Sequence, residues 1–251
     1  MSSPLPATQA VQASPRVHDI LRRLHALSDA QEKTLSQTIF YLKRLFRFYV
    51  TGETWSSAAD DHMREKFVSL EADKCQLMYL LARSIGAKNI VEAGTSFGVS
   101  TIYLALAVGQ NVAALNASGG APVTGKVIAT EKEPTKAEKA RKYWEEAGEE
   151  VSPWIEVRVG DLLETLKVEE GMPNEIDMLL LDIWTPLALP TLKIIRPRLR
   201  RGAIVLADNT TMAKPLYKEL LEYLHDPKNG FKTTTAPYSG GFEIAVYLPS
   251  E

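Results

Sequence analysis

Apolar positions along this chain fall into two textures. Between residues 17 and 86 they recur at helical spacing: Val17, Ile20, Leu21, Leu24 and Leu27, then Leu35, Ile39, Leu42, Leu45, Phe46 and Tyr49. The pattern breaks over residues 51–57 and resumes through Leu77, Met78, Leu81 and Ile85. Ser69 is the expected N-cap of that last helix, with Glu71 and Asp73 suited to its positive start. From residue 88 onward the texture changes to short apolar runs separated by helical stretches. The runs are NIVEAG (89–94), KVIATE (126–131), IEVRVG (155–160), IDMLLLD (176–182) and AIVLADN (203–209). Near-continuous apolar strands alternating with helices predict a parallel α/β sheet covered on both faces.

Two further runs, FKTTTAP (231–237) and FEIAVYL (242–248), are separated only by YSGG. So short a turn cannot carry a crossover, so they are expected to pair antiparallel as a hairpin. The expectation is five parallel strands followed by a C-terminal hairpin. Residues 109–125, rich in small side chains, read as a long loop before the second strand. The chain thus divides into a Pro/Ser/Ala/Gln tail over 1–16, expected to be disordered, a helical extension over 17–66, and the sheet domain over 67–251.

Composition narrows the classes of function. The 251 residues carry a net charge of −2, which gives no broad electrostatic footprint for nucleic acid. No uninterrupted apolar run reaches the roughly 18 residues of a spanning helix, and the first residues lack a signal peptide's apolar core. Cys75 is the single cysteine, so there is neither a disulfide framework nor a cysteine metal knuckle, which suits a reducing, cytoplasmic setting. The stretch FYLKRLFRFYV (40–50) mixes aromatics with Lys43, Arg44 and Arg47. Its aromatics recur at helical spacing, so it reads as a packing helix, onto the sheet domain or a second subunit of a homodimer, rather than a nucleic-acid or membrane surface.

In open α/β sheets ligands bind beyond the carboxyl ends of the strands. Five strand ends here carry a carboxylate: Glu92, Glu131, Asp161, Asp182 and Asp208, the last followed by Asn209. In VEAGTSFGVST (91–101), Gly94 permits a sharp turn, and Gly98 is expected to let a ligand lie close to the helix start. Free amides there suit a carboxylate or phosphate. Glu131 is placed to accept from ribose hydroxyls and Asp161 from an exocyclic amine such as that of adenine. Acids around the loop favour a ligand with positive charge and no phosphates, and neither GxGxxG nor GxxxxGK[ST] is present.

VEAGTSFGVST followed by VIATE, VGDLL, LLLDIW and LADN resembles the class I S-adenosylmethionine-dependent O-methyltransferases, specifically the catechol and caffeoyl-CoA O-methyltransferase group. The similarity runs from about Val68 to the C-terminus. It implies a Rossmann-like, doubly wound seven-stranded sheet whose last strand inserts antiparallel. It further implies that Glu92, Gly94 and Ser100 line the methionine part of S-adenosylmethionine, and that Val68 and Ser69 approach its carboxylate. Glu131 would hold the ribose, Lys132 would lie beside the adenine, Asp161 would meet the adenine amine, and Trp184 would wall the cofactor and acceptor pocket. A divalent cation such as Mg²⁺ would be held by Asp182, Asp208 and Asn209, hard oxygen ligands that suit it, which makes Asp182 the residue at the centre of catalysis.

One departure matters. The catechol enzymes carry a general-base lysine three residues after the first metal aspartate, and here DIWTP puts Thr185 there. Either the metal alone activates a phenolic small-molecule acceptor, or another group such as His62 is the base, or the acceptor is a carboxylic acid already ionised at neutral pH, attracted by residues such as Arg64 and Lys66. A protein that kept cofactor binding and lost turnover is the alternative class. A nicotinamide-dependent oxidoreductase is disfavoured by the missing GxGxxG.

Overall fold

The computed structural model describes residues 10–32, 67 and 69–250. The expectations for FYLKRLFRFYV, His62, Arg64, Lys66 and Val68 lie outside the described residues.

Among the described residues the sheet has seven strands: β1 (Asn89–Ala93), β2 (Lys126–Glu131), β3 (Ile155–Val159), β4 (Ile176–Leu181), β5 (Leu199–Asp208), β6 (Phe231–Ala236) and β7 (Phe242–Tyr247). Their spatial order is β3-β2-β1-β4-β5-β7-β6. β1 to β5 are mutually parallel, while β7 runs antiparallel between β5 and β6. The hairpin read from YSGG is present, and its second strand is the one inserted. The strand order reverses between β1 and β4, so the loop after β1 opens at the topological switch point, where ligands of such sheets bind.

The apolar runs are continuous because both faces are covered. In β4, Met178 and Leu180 join one buried cluster, with helices α1 (Pro15–Glu32), α2 (Ala72–Ser84), α3 (Val99–Ala117) and α4 (Pro134–Ala147). Leu179 and Leu181 join the other, under the short α5 (Leu162–Thr165), α6 (Thr185–Ile195) and α7 (Lys218–His225). The strand period of two thus deals successive residues to opposite layers.

Three local readings are corrected. Residues 109–117 are the second half of α3, not loop; a Cβ on Gly109 would stand 2.5 Å from Trp154 Nε1, so a bare backbone there lets the indole pack against the helix. The N-cap of α2 is Glu71, not Ser69, whose N–H donates instead to Ser28 Oγ at 3.1 Å. The described end of the expected tail is seated: Val11 is buried and the Gln12 N–H donates to Tyr79 Oη at 3.3 Å.

In α1, Val17, Ile20, Leu21 and Leu24 are buried as their spacing predicts, while Leu27 is exposed. α3 is long and apolar enough to cross a membrane, but 72% of that stretch is buried, where it serves as a core helix of the sheet domain.

Candidate functional site

The loop between β1 and α3 is shaped by two glycines, each in the left-handed region. Gly94 has φ +91°, and a Cβ there would stand 2.0 Å from the Asp182 carbonyl oxygen. Gly98 caps α3 with φ +76°, and a Cβ there would stand 2.4 Å from Trp144 Nε1. The space at Gly98 therefore belongs to the indole of α4, whose Nε1–H donates to the Gly98 carbonyl at 3.0 Å. That corrects the expectation that Gly98 makes room for a ligand. The N-cap Gly98 offers no side chain to cap the start of α3, so its first amides suit an anionic group.

Glu92 ends up beneath this loop, fully buried. It accepts from Thr95 Oγ1 at 2.8 Å, Ser100 Oγ at 2.6 Å and Thr101 Oγ1 at 2.5 Å. Burial raises its pKa, and the three hydroxyls pull it back down. Ser100 is thus brought to Glu92, and both anchor the loop to the sheet. Glu131, at the end of the neighbouring strand, accepts from the Ser96 N–H at 2.7 Å and the Glu133 N–H at 2.8 Å. Ser96 is a non-glycine at φ +50°, a sparsely populated conformation of the kind that clusters at ligand loops. Burial raises the Glu131 pKa, against the pull of these amides and Lys136. A carboxylate offers about four lone-pair sites, so two remain for a ligand's hydroxyls.

The remaining predicted contacts are looser. Asp161 is exposed and accepts from the Leu163 N–H at 2.9 Å as the N-cap of α5. Lys132 is exposed beside Glu131, Ser69 is partly buried, and Trp184 is the half-buried N-cap of α6. Thr185 opens α6 with its hydroxyl buried.

A second cluster was not read from the sequence. Lys74 of α2 is fully buried, and its Nζ donates to Asp208 Oδ1 at 2.6 Å and pairs with Glu71 Oε2 at 2.7 Å. Burial opposes its charge, but the two carboxylates outweigh that and its pKa rises, so it is an ammonium. Asp208 is pushed up to about 6, by burial first. Asp182 is held well above the usual carboxylate range by burial and then by Asp208, Glu92 and Glu71.

These residues do not fit the expected divalent cation as they stand. One oxygen of Asp208 is held by Lys74; the other accepts from Asn209 Nδ2 at 2.8 Å, which leaves the Asn209 amide oxygen facing Gly240. A Mg²⁺ about 2.1 Å from Oδ1 would lie within roughly 4.7 Å of the ammonium, a repulsion of about 7 kcal/mol at an effective dielectric of 20. Among the described residues, no three His, Cys, Asp or Glu side chains are arranged to hold a metal ion. Sequence reasoning missed Lys74 because its partner Asp208 is 134 residues away.

A sheet of order 3-2-1-4-5-7-6 with its last strand inserted antiparallel is the one that the resemblance to class I methyltransferases implies. Residues 91–210 match a family described as a methyltransferase domain. Catechol O-methyltransferase from Mycobacterium tuberculosis is 31% identical over 152 residues, 61% of this chain and 61% of that protein. Catechol O-methyltransferase from Niastella koreensis is 30% identical over 148 residues, 57% of this chain and 58% of that protein. The chain therefore spans about three fifths of the length of the curated relatives it matches. The O-methyltransferase TomG from Streptomyces achromogenes, solved in complex with S-adenosylmethionine, shares the fold: TM-score 0.60, 24% identity, 82% of this chain and 96% of that one. Over its sheet domain the chain is thus similar to S-adenosylmethionine-dependent O-methyltransferases of the catechol and caffeoyl-CoA group.

Proposed function

We propose that this chain transfers a methyl group from S-adenosylmethionine to an oxygen of a small-molecule acceptor. The observation that carries this reading is the loop after β1, anchored on buried Glu92 and tied through the Ser96 N–H to Glu131. The loop offers the first amides of α3, whose N-cap is a glycine, for the carboxylate of the methionine part and leaves Glu131 lone pairs for ribose hydroxyls. Bound there, S-adenosylmethionine supplies an electrophilic methyl on a sulfonium. An O–C bond forms as the S–C bond breaks and its electron pair returns to sulfur. The protein's part is to hold acceptor and methyl in line at near-attack distance. The clustered acids Glu92, Asp182 and Asp208 suit a cationic ligand, which argues for the sulfonium cofactor over a phosphate-rich one.

Two acceptor chemistries follow. A metal-assisted phenol or catechol requires Lys74 to leave Asp208. A carboxylate acceptor requires neither metal nor base, and the Lys74–Asp208 contact favours it. Cytoplasmic residence and homodimerisation belong to the same reading. The test is transfer from labelled S-adenosylmethionine to a panel of catechols, phenols and small carboxylic acids, with and without EDTA. Label in product carries the reading. Binding of S-adenosylmethionine with no transfer to any member of the panel would point to the non-catalytic alternative.

A further inference from the structure

The ends of the neighbouring strands β1, β4 and β5 bring Glu92, Asp182 and Asp208 into mutual electrostatic reach, with Glu71, the N-cap of α2, beside them. Four acids so close together, Glu92 and Asp208 of them buried, call for a cation. A lysine is almost never fully buried unless paired, and Lys74 is both fully buried and paired, with its ammonium on Asp208 and Glu71. Its contact with Asp208 joins α2 to the end of β5 across 134 residues, so no local rule of helix or turn requires it. A divalent cation on that Asp208 oxygen would stand against the ammonium it already holds.

We propose that Lys74 stands in for the divalent cation: the Asp182, Asp208 and Asn209 set is a lysine site, and methyl transfer by this chain is independent of metal. The second clause rests on the methyltransferase reading; the first does not. Lys74 is then a positioning residue that balances charge beneath the acceptor. An ammonium donates hydrogen bonds but does not coordinate a hydroxyl and lower its pKa as a metal does. With Thr185 in place of a base, the acceptors served are those whose oxygen is ionised before it binds, carboxylates above all.

The test is Mn²⁺ uptake followed by electron paramagnetic resonance, on the full chain and on Lys74→Ala, both saturated with S-adenosylhomocysteine. The wild-type chain is expected to leave the free Mn²⁺ signal undiminished, and Lys74→Ala to take up about one ion per chain through the freed carboxylates. EDTA is expected to leave methyl transfer by the wild type unchanged. Stoichiometric Mn²⁺ uptake by the wild type, or loss of transfer in EDTA, would overturn the proposal. So would a folded Lys74→Ala that takes up no Mn²⁺, because the carboxylates would then not be a cation site at all. If Lys74→Ala does not fold, Lys74→Met, which keeps the stem's packing, takes its place. Heat of S-adenosylhomocysteine binding, measured separately, judges the methyltransferase reading; its absence would leave the Mn²⁺ comparison still decisive for Lys74.

Discussion

The indole of Trp144 stands where a side chain on Gly98 would have to go, 2.4 Å from the position of its Cβ, and donates to the Gly98 carbonyl. This one contact locks α4 to the last residue of the loop between β1 and α3. Glycine is required at 98 twice over, for its left-handed φ and for the ring. Gly98→Ala is therefore expected to lose about 2–4 kcal/mol, the sum of left-handed strain and overpacking. Urea denaturation checks it: the midpoint should fall with an unchanged m-value. A midpoint equal to wild type would mean that the loop and α4 are not coupled.

Glu131 offers a different kind of test, because its amide partners hold the loop while the proposed function gives its remaining lone pairs to the ribose. Glu131→Ala removes both. Hydrogen bonds to a charged group are worth about 1.5–3 kcal/mol, so the dissociation constant for S-adenosylhomocysteine should rise about 10- to 100-fold. Lys132→Ala, at the exposed neighbour, is the control and should change affinity much less. Equal effects from the two substitutions would show that Glu131 does not hold the ribose.

His25 makes stability depend on pH. Its Nε2 lies 2.9 Å from Tyr103 Oη, and burial lowers its pKa from 6.5, against a smaller upward pull from Asp29 and Asp73. The unfolded chain then binds more protons than the folded one just below pH 6.5, so the contribution is present above that pH and is lost as pH falls toward the folded value. Thermal melts between pH 7.5 and 5 should show a fall in Tm that is shallower in His25→Gln. Parallel curves for the two chains would place the acid sensitivity elsewhere.

Much of the fold was legible because its signals are local. The change from helical spacing to short apolar runs marked the sheet domain, and YSGG between two strands demanded a hairpin. The strand ends Glu92, Glu131 and Asp208 were readable for the same reason, since an acid after an apolar run is visible without a partner. Helix α3 was cut short because Gly109 looks like a breaker until Trp154 is seen against it. Ser69 passed for a cap by residue type alone, although Glu71 holds that position. Asp161 was legible as an acid but not as the cap of α5. Trp144 and Lys74 carried no local signal at all: one is an aromatic on a helix face, the other a lysine in EADKC, and each gains its meaning from a contact far away in sequence.

The most direct measurement is isothermal titration of the full chain with S-adenosylhomocysteine, the product that every transfer from S-adenosylmethionine leaves behind. A single saturable site per chain, weakened by Glu131→Ala and indifferent to EDTA, is the predicted result. No heat with either S-adenosylhomocysteine or S-adenosylmethionine at millimolar concentration, or saturable binding of NAD in their place, would contradict the assignment of this loop to a methyl donor.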